Sequence, residues 1–134
     1  MKLSFPLQEG IFLERPNRFA AWVEVNGSPT MVHVPNSGRM GELLQRSNKV
    51  LLTPKTGPGR ETGYDMSMVD LGQTLVSTDA RIPPALVEEA FARGHLNQFS
   101  GYTWAQREVT FSHSRLDMMM GNGGLCYLEM KSVT

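Results

Sequence analysis

Two acids and a lysine near the C-terminus stand in an order that suits metal-assisted phosphate chemistry. Asp117 precedes the glycine-rich segment Gly121 to Gly124, and Glu129 and Lys131 follow it. Glycines accept positive φ angles, so this segment predicts a hairpin whose loop is Asn122 to Gly124. In that register Asp117 faces Glu129 across the two strands.

The same register divides the hairpin into two faces, because side chains alternate along a strand. One face carries Arg115, Asp117, Met119, Tyr127, Glu129 and Lys131. The other face is wholly apolar and carries Leu116, Met118, Met120, Cys126, Leu128 and Met130. We predict that the apolar face packs on the core. Since a slip by one residue would expose that face, burial should hold the acids and the lysine together on the opposite side.

Two carboxylates that face each other repel unless a cation or a proton lies between them. Oxygen ligands of this kind favour a hard divalent metal, and we expect Mg²⁺ or Mn²⁺. Lys131, roughly 6.6 Å further along the face, could orient a metal-bound water or balance the charge of a phosphate under in-line attack. This is the logic of the PD-(D/E)xK nucleases. The three residues also fit the solvated face of an amphipathic hairpin, and their spacing leaves both interpretations open.

Length and composition suit one medium domain or two small ones, since the chain has 134 residues, of which 40% are hydrophobic. Basic and acidic residues number 13 each, so net charge does not argue for nucleic-acid or membrane binding. Local charge does favour phosphate contact. Five basic residues fall in one segment, namely Arg39, Arg46, Lys49, Lys55 and Arg60.

Cysteine and hydropathy patterns indicate the cellular setting. Cys126 is the only cysteine, which excludes an intrachain disulfide and favours a reducing compartment. No apolar run approaches the length of a membrane span. We therefore expect a soluble cytoplasmic protein that has no membrane partner. The histidines lack ligand spacing with Cys126, which argues against a zinc site.

Residues 1–80 predict an OB-like β-barrel. Alternating and β-branched segments indicate strands over residues 10–14, 18–25, 30–34, 49–53, 64–71 and 74–77. Asn26-Gly27 marks a hairpin, and Gly38 to Leu44 is predicted to form a short helix after the third strand. Trp22 and Tyr64 either stack bases on the barrel surface or complete its core.

Residues 81–134 predict the opening half of a restriction-endonuclease-like α/β domain, which makes the overall class α+β. Pro83-Pro84 opens a helix over Ala85 to Arg93, and strands follow over residues 104–111, 116–120 and 125–133. The chain ends at Thr134 before another element could cover the sheet, so we expect a truncated form. The helix should cover part of the apolar hairpin face and a second copy the rest, which predicts a homo-oligomer.

Several segments carry a specific resemblance to a known family. They are His33 to Met40, Ser114 to Asp117 and Tyr127 to Thr134, with further similarity at Leu86 to Ala90, Ser100 to Tyr102 and Arg107 to Val109. Together they resemble the sugar fermentation stimulation protein A family over nearly the whole chain. The resemblance implies an OB-like N-terminal domain, a PD-(D/E)xK-type C-terminal domain, non-specific DNA binding and a regulatory role in maltose or other sugar metabolism.

The resemblance also assigns residues to these roles. Glu89 matches the helix acid of such nuclease cores, which implies a metal set of Asp117, Glu129 and Glu89 with Lys131 beside it as a catalytic group. Independently of the resemblance, local charge leads us to expect DNA contact from Arg39, Arg46, Lys49, Lys55, Arg60 and Arg115. Three functions remain open: a DNA-binding regulator, a metal-dependent nuclease that is active only at full length, and an interaction module whose acids are only surface.

Overall fold

The computed structural model describes residues 1–3 and 6–132 of the chain. Contacts within the chain define two compact units. One runs from Lys2 to Ala80, and the other begins at Arg81 and includes Met1. The fold is α+β, and the first unit is the predicted OB-like barrel.

The first unit contains six strands. They are β1 Gln8–Asn17, β2 Ala20–Val25, β3 Ser28–His33, β4 Lys49–Pro54, β5 Tyr64–Asp70 and β6 Leu75–Ser77. Their order is β3-β2-β1-β4-β5-β6, and a parallel pairing of His33 with Asp65 joins β3 to β5. That pairing closes the first five strands into an OB-type barrel.

Alternation in β2 shows why this sequence forms a barrel wall. Ala21, Val23 and Val25 are buried, while the residues between them face outward. The turn into β3 is made by Asn26 and Gly27 at φ angles of 51° and 81°, which suits a tight hairpin. Inward residues from all five strands form one core, and its buried members are Phe12, Ala21, Val23, Val25, Val32, Val34, Leu43, Val50, Leu52, Met66 and Val69.

The predicted helix over Gly38 to Leu44 is wrong, because this segment forms turns. Met40 has a φ angle of 49°, which is outside the right-handed helical region. The amides of Leu43 and Leu44 both donate to the Met40 carbonyl, at 3.0 and 2.8 Å. One turn is therefore made, but a helix cannot continue through a residue in the left-handed conformation.

The second unit packs one α-helix and one 3₁₀ turn with a three-stranded antiparallel sheet. Its elements are α1 Ile82–Ala92, the 3₁₀ turn Asn97–Phe99, β7 Trp104–Phe111, β8 Ser114–Gly121 and β9 Leu125–Leu128. Helix α1 begins before the predicted Ala85, with the two prolines in its first turn. The predicted third strand stops early, at Leu128, and its predicted end at Val133 lies outside the described residues.

Helix α1 lies against β7. The Arg107 guanidinium of β7 is 2.9 Å from the Glu88 carboxylate of α1. Val109 of β7 and Met118 and Met120 of β8 are buried. Within the described residues, neither helix is long and apolar enough to cross a membrane.

Candidate nucleic-acid interface and acidic hairpin site

The β8–β9 hairpin adopts the predicted register. Met118 pairs with Leu128, Met119 with Tyr127, and Met120 with Cys126. Met118 and Met120 are fully buried, whereas Tyr127 on the other face is exposed. The assignment of apolar and polar faces was therefore correct. The ladder ends at the pair of Met118 and Leu128. Asp117 and Glu129 lie just beyond this pair and are not themselves paired in the ladder.

Asp117, Glu129 and Lys131 gather just beyond the end of that ladder. The Asp117 carboxylate accepts a 2.6 Å hydrogen bond from the Met130 amide, and the Lys131 ammonium donates to Glu129 at 2.7 Å. The hydrogen bond to Glu129 raises the pKa of Lys131, the charge of Glu129 raises it further, and the charge of Asp117 contributes less. The electrostatic field of both acids thus reaches the lysine.

Glu89 has other partners. Its carboxylate accepts from the Met1 amino group at 2.6 Å and lies 3.1 Å from the Arg93 guanidinium. The hydrogen bond from the amino terminus is the main cause that lowers the pKa of Glu89, and the charges of that terminus and of Arg93 add to it. The structure therefore places Glu89 in an ion-pair group of its own.

Carboxylate oxygens are the donors that a hard divalent cation prefers, so the chemistry of the hairpin acids fits such a metal. Their number does not. Within residues 1–3 and 6–132, no group of three or more histidine, cysteine, aspartate or glutamate residues is close enough to hold a metal ion. Asp117 and Glu129 supply two carboxylates, of which the first accepts from the Met130 amide and the second from Lys131.

The six predicted DNA-contacting cations differ in how close each lies to a carboxylate. Arg60 lies 2.7 Å from Asp65, whose side chain is only 2% exposed. Arg115 lies 2.9 Å from the exposed Glu108. Arg39, Arg46, Lys49 and Lys55 are exposed around the barrel. Of these, Lys49 has an acidic neighbour only at 3.8 Å, the carboxylate of Glu9.

A cleft of about 600 Å³ opens on the barrel, where sequence reasoning did not predict one. It lies over the outward side of β2 and β3, between the β1–β2 turn and the β4–β5 loop. Its lining residues are Asn17, Phe19, Ala20, Met31, His33, Arg60, Glu61 and Thr62. OB folds bind oligonucleotides and oligosaccharides at this position. The predicted OB-like barrel contained the signal, because OB folds bind ligands on this surface.

Trp22 and Tyr64 separate into the two roles considered for them. Tyr64 packs against the barrel core. Trp22 lies on the outward side of β2, opposite Met31 of β3, and lines a second cleft of about 350 Å³ together with Arg46. Trp22 is therefore available to a ligand, whereas Tyr64 stabilises the barrel.

Arg15 organises the backbone beside this surface. Its guanidinium donates to the carbonyl oxygens of Arg18, Asn36, Gly38 and Arg39. Partial burial lowers the pKa of Arg15 below its usual value. The contacts join the β1–β2 turn to the segment after β3. The Arg15 side chain therefore positions both the turn that carries Phe19 and the backbone at Arg39.

Comparison with known proteins gives one consistent result. The family model described as the SfsA N-terminal OB domain matches residues 13–78, and the model described as the sugar fermentation stimulation protein RE domain matches residues 81–134. A sugar fermentation stimulation protein homolog of Caldanaerobacter subterraneus is 38% identical over 100% of this chain and 59% of its own length. A homolog of Clostridium kluyveri is 42% identical over 92% of this chain and 54% of its own.

A solved structure, Pyrococcus furiosus SfsA in complex with Ca²⁺, is also similar to this chain. The TM-score is 0.86 at 27% sequence identity, and the match covers 98% of this chain and 56% of the other. The chain therefore spans somewhat more than half the length of the proteins that it matches.

Proposed function

This chain belongs to the sugar fermentation stimulation protein family, and on that premise we propose that it is a non-specific DNA-binding protein that acts as a regulatory factor in sugar metabolism, including that of maltose. The two family matches support an OB domain followed by an RE domain. Because the matched relatives are longer, the activity of the whole protein is part of the proposal.

The outward side of β2 and β3 is the observation that carries this proposal. It presents a cleft between the β1–β2 turn and the β4–β5 loop, with Phe19 exposed at one side and Trp22 further along. A flat aromatic surface in this part of an OB fold suits nucleobases, since every base has a face that can stack.

Phosphate contact is assigned to the exposed cations around the barrel, which are Arg39, Arg46, Lys49 and Lys55. Such contacts orient a protein on DNA but carry no sequence information, which accounts for non-specific binding. Arg60 and Arg115 are expected to contribute less, because each is already paired with a carboxylate.

Salt dependence of DNA binding tests this assignment. A variant with Arg39→Gln, Arg46→Gln and Lys49→Gln should bind a fluorescent duplex more weakly, and the log–log salt slope should fall by about 0.9 for each lost phosphate contact. Fluorescence anisotropy between low and moderate salt measures both quantities. Arg115→Gln is the comparison variant and should lower the slope by less than one full phosphate contact, because Arg115 is already paired with Glu108. If the triple variant keeps the slope of the parent protein, the DNA lies elsewhere.

A second candidate function rests on the meeting of Asp117, Glu129 and Lys131. We propose that the full-length form is a PD-(D/E)xK-type nuclease that depends on a divalent metal. Asp117 and Glu129 would hold the metal, and Glu89 would join them only by leaving its present partners. A bound metal of this kind polarises a phosphoryl oxygen and activates water. Lys131 would balance charge on the phosphate. The Ca²⁺ complex of the Pyrococcus protein supports this candidate.

Calorimetry and plasmid nicking together test the nuclease candidate. Titration with Ca²⁺, Mg²⁺ and Mn²⁺ should show binding that Asp117→Asn abolishes and that the control Glu108→Gln keeps. In the chain extended to the length of its relatives, Lys131→Ala should lose nicking but retain the metal. Equal nicking by Lys131→Ala and the parent, or metal binding that is indifferent to Asp117→Asn, would exclude these residues from the chemistry.

A further inference from the structure

The charge of the 600 Å³ cleft on the barrel does not suit a phosphate. Among the described residues that line it, Arg60 is the one arginine or lysine. Its guanidinium lies 2.7 Å from the buried Asp65 carboxylate and also donates to the Thr62 carbonyl at 3.2 Å. The neighbouring Glu61 adds a negative charge. An anion entering the cleft would therefore meet a neutralised cation and an exposed acid.

The shape and donors of the cleft suit a flat, uncharged ring. Phe19 is 55% exposed at its edge, and its backbone is fixed on both sides. Its amide donates to the Asn17 side chain at 2.9 Å, and its carbonyl accepts from Val34 at 2.8 Å. The partly exposed His33 imidazole faces the same cleft and makes no hydrogen bond to another described residue. An aromatic face beside unused polar atoms is an arrangement that can stack a base and hydrogen-bond to its edge.

A second cleft lies beside the first along the β2–β3 surface. Ala20 pairs with His33, and two residues further Trp22 pairs with Met31. Met31 lines the first cleft and Trp22 lines the second, so this cross-strand pair joins them. The cation of the second cleft, Arg46, is exposed, and among the described residues its guanidinium has a single long contact, 3.5 Å from the Leu13 carbonyl. Bases could thus follow the β2–β3 surface while phosphates reach cations outside the first cleft.

We infer that the cleft formed by Phe19, His33 and the β4–β5 loop is a base-binding subsite, and that the protein prefers unpaired strands to duplex DNA. The inference rests on the proposed DNA-binding function and specifies its substrate. A duplex hides base faces within its stack, whereas an unpaired strand can insert a base into a neutral cleft and keep its phosphates outside.

Binding of a labelled oligothymidine of about twelve nucleotides, compared with the same strand in a duplex, tests the inference at one salt concentration. The single strand should bind more tightly. Phe19→Ala should weaken single-strand binding by about five- to a hundredfold, as loss of one stacked base predicts. Duplex affinity should stay within twofold, and Phe19→Trp should restore single-strand binding.

Phe111→Ala is the matched control, since Phe111 is 54% exposed but lies in the second unit. It should leave both affinities unchanged. Thermal unfolding of each variant establishes that it is folded. A strand carrying 2-aminopurine adds a direct readout, because insertion beside Phe19 should change its fluorescence and Phe19→Ala should remove that change.

Three outcomes would overturn the base subsite while DNA binding stands: equal affinity for single strand and duplex, equal weakening of both by Phe19→Ala, or a 2-aminopurine signal that does not depend on Phe19. Displacement of the 2-aminopurine strand by free maltose would overturn it in favour of a saccharide site. If the parent protein binds neither the single strand nor the duplex, the proposed function itself fails.

Discussion

The barrel and the three-stranded sheet are built from the same alternation of inward and outward side chains, yet they bury very different amounts of apolar surface. The barrel encloses a core drawn from all five strands. The sheet buries Val109, Met118 and Met120. Four large hydrophobic side chains of the sheet strands remain exposed, namely Trp104, Phe111, Leu125 and Tyr127. Alternation decides which side of a strand is apolar, but a second layer decides whether that side becomes a core.

Charged groups differ between the two regions in the same way. Asp65 is buried in the barrel wall beside Arg60. In the sheet, the pair of Glu108 and Arg115 stays in water, with side chains 63% and 71% exposed. Burial strengthens electrostatic interactions and penalises their loss, so ion pairs of similar length should differ in their contribution to stability.

The two tryptophans allow each region to be followed separately, since Trp22 lies in the barrel and Trp104 in the sheet. The Trp104→Phe background reports on the barrel, and the Trp22→Phe background reports on the second unit. Denaturation followed by fluorescence in these two backgrounds measures the free energy of unfolding of each unit.

Truncation of a core residue should produce the largest difference. Leu52 is fully buried in the closed barrel, whereas Leu125 is 57% exposed in β9. Leu52→Ala should lower the free energy of unfolding of the barrel by about 2–5 kcal/mol, because it removes buried methyl groups and leaves a cavity. Leu125→Ala should change the second unit by less than about 0.5 kcal/mol. Similar losses at both positions would contradict the distinction between closed and open regions.

Glycine replacement should have the second-largest effect, since each region has a glycine whose added Cβ would clash with a neighbouring side chain. A Cβ on Gly10 would lie 2.4 Å from Val23 Cγ1, inside the closed core. A Cβ on Gly121 would lie 2.2 Å from the Trp104 ring, but that indole is 42% exposed and can move into solvent. Gly10→Ala should therefore cost about 1–3 kcal/mol, as overpacking does, and Gly121→Ala clearly less. The reverse order would show that the sheet is the more rigid region.

Removal of one arginine from each ion pair should have a smaller effect. Arg60→Met should destabilise the barrel by about 1–2 kcal/mol, because it removes a charged hydrogen bond from a buried carboxylate. Arg115→Met should change the second unit by no more than about 0.5 kcal/mol. Chemical denaturation at neutral pH measures both. Equal effects would mean that the burial of Asp65 does not strengthen its pair with Arg60.

The smallest effect is expected from Lys131 at high pH. Its folded-state pKa is raised above 10.5 by Glu129, so its contribution is fully present below pH 10.5 and is lost as the pH rises through the folded value. The free energy of unfolding of the second unit should be compared between the parent and Glu129→Gln at rising pH. Both proteins contain the same tyrosines, so the titration of those tyrosines cancels in the difference. The two proteins should converge above pH 10.5. A constant difference would show that the Lys131–Glu129 contact does not form in solution.

Local pattern was sufficient for most of the strands and for the register of the β8–β9 hairpin. Alternation with a period of two and a glycine loop fix such a register from neighbouring residues alone. The same alternation predicted Asp117, Glu129 and Lys131 on one side of the hairpin. In the structure, Asp117 accepts from the Met130 amide and Lys131 donates to Glu129, just beyond the end of the ladder.

Only the tertiary structure decided which polar groups have a hydrogen-bond or ion-pair partner. Some of these partners are distant in sequence, and others are close in sequence but are paired because the fold buries one of them. Arg60 is neutralised because the barrel wall buries Asp65 beside it. Glu89 is occupied by the amino group of Met1. The backbone of the segment after β3 is held by Arg15 from β1, so the local pattern of Gly38 to Leu44 could not determine its conformation. Hydropathy is a local property, whereas pairing and exposure follow from the folded chain, and the Phe19 cleft exists only where three separate segments meet.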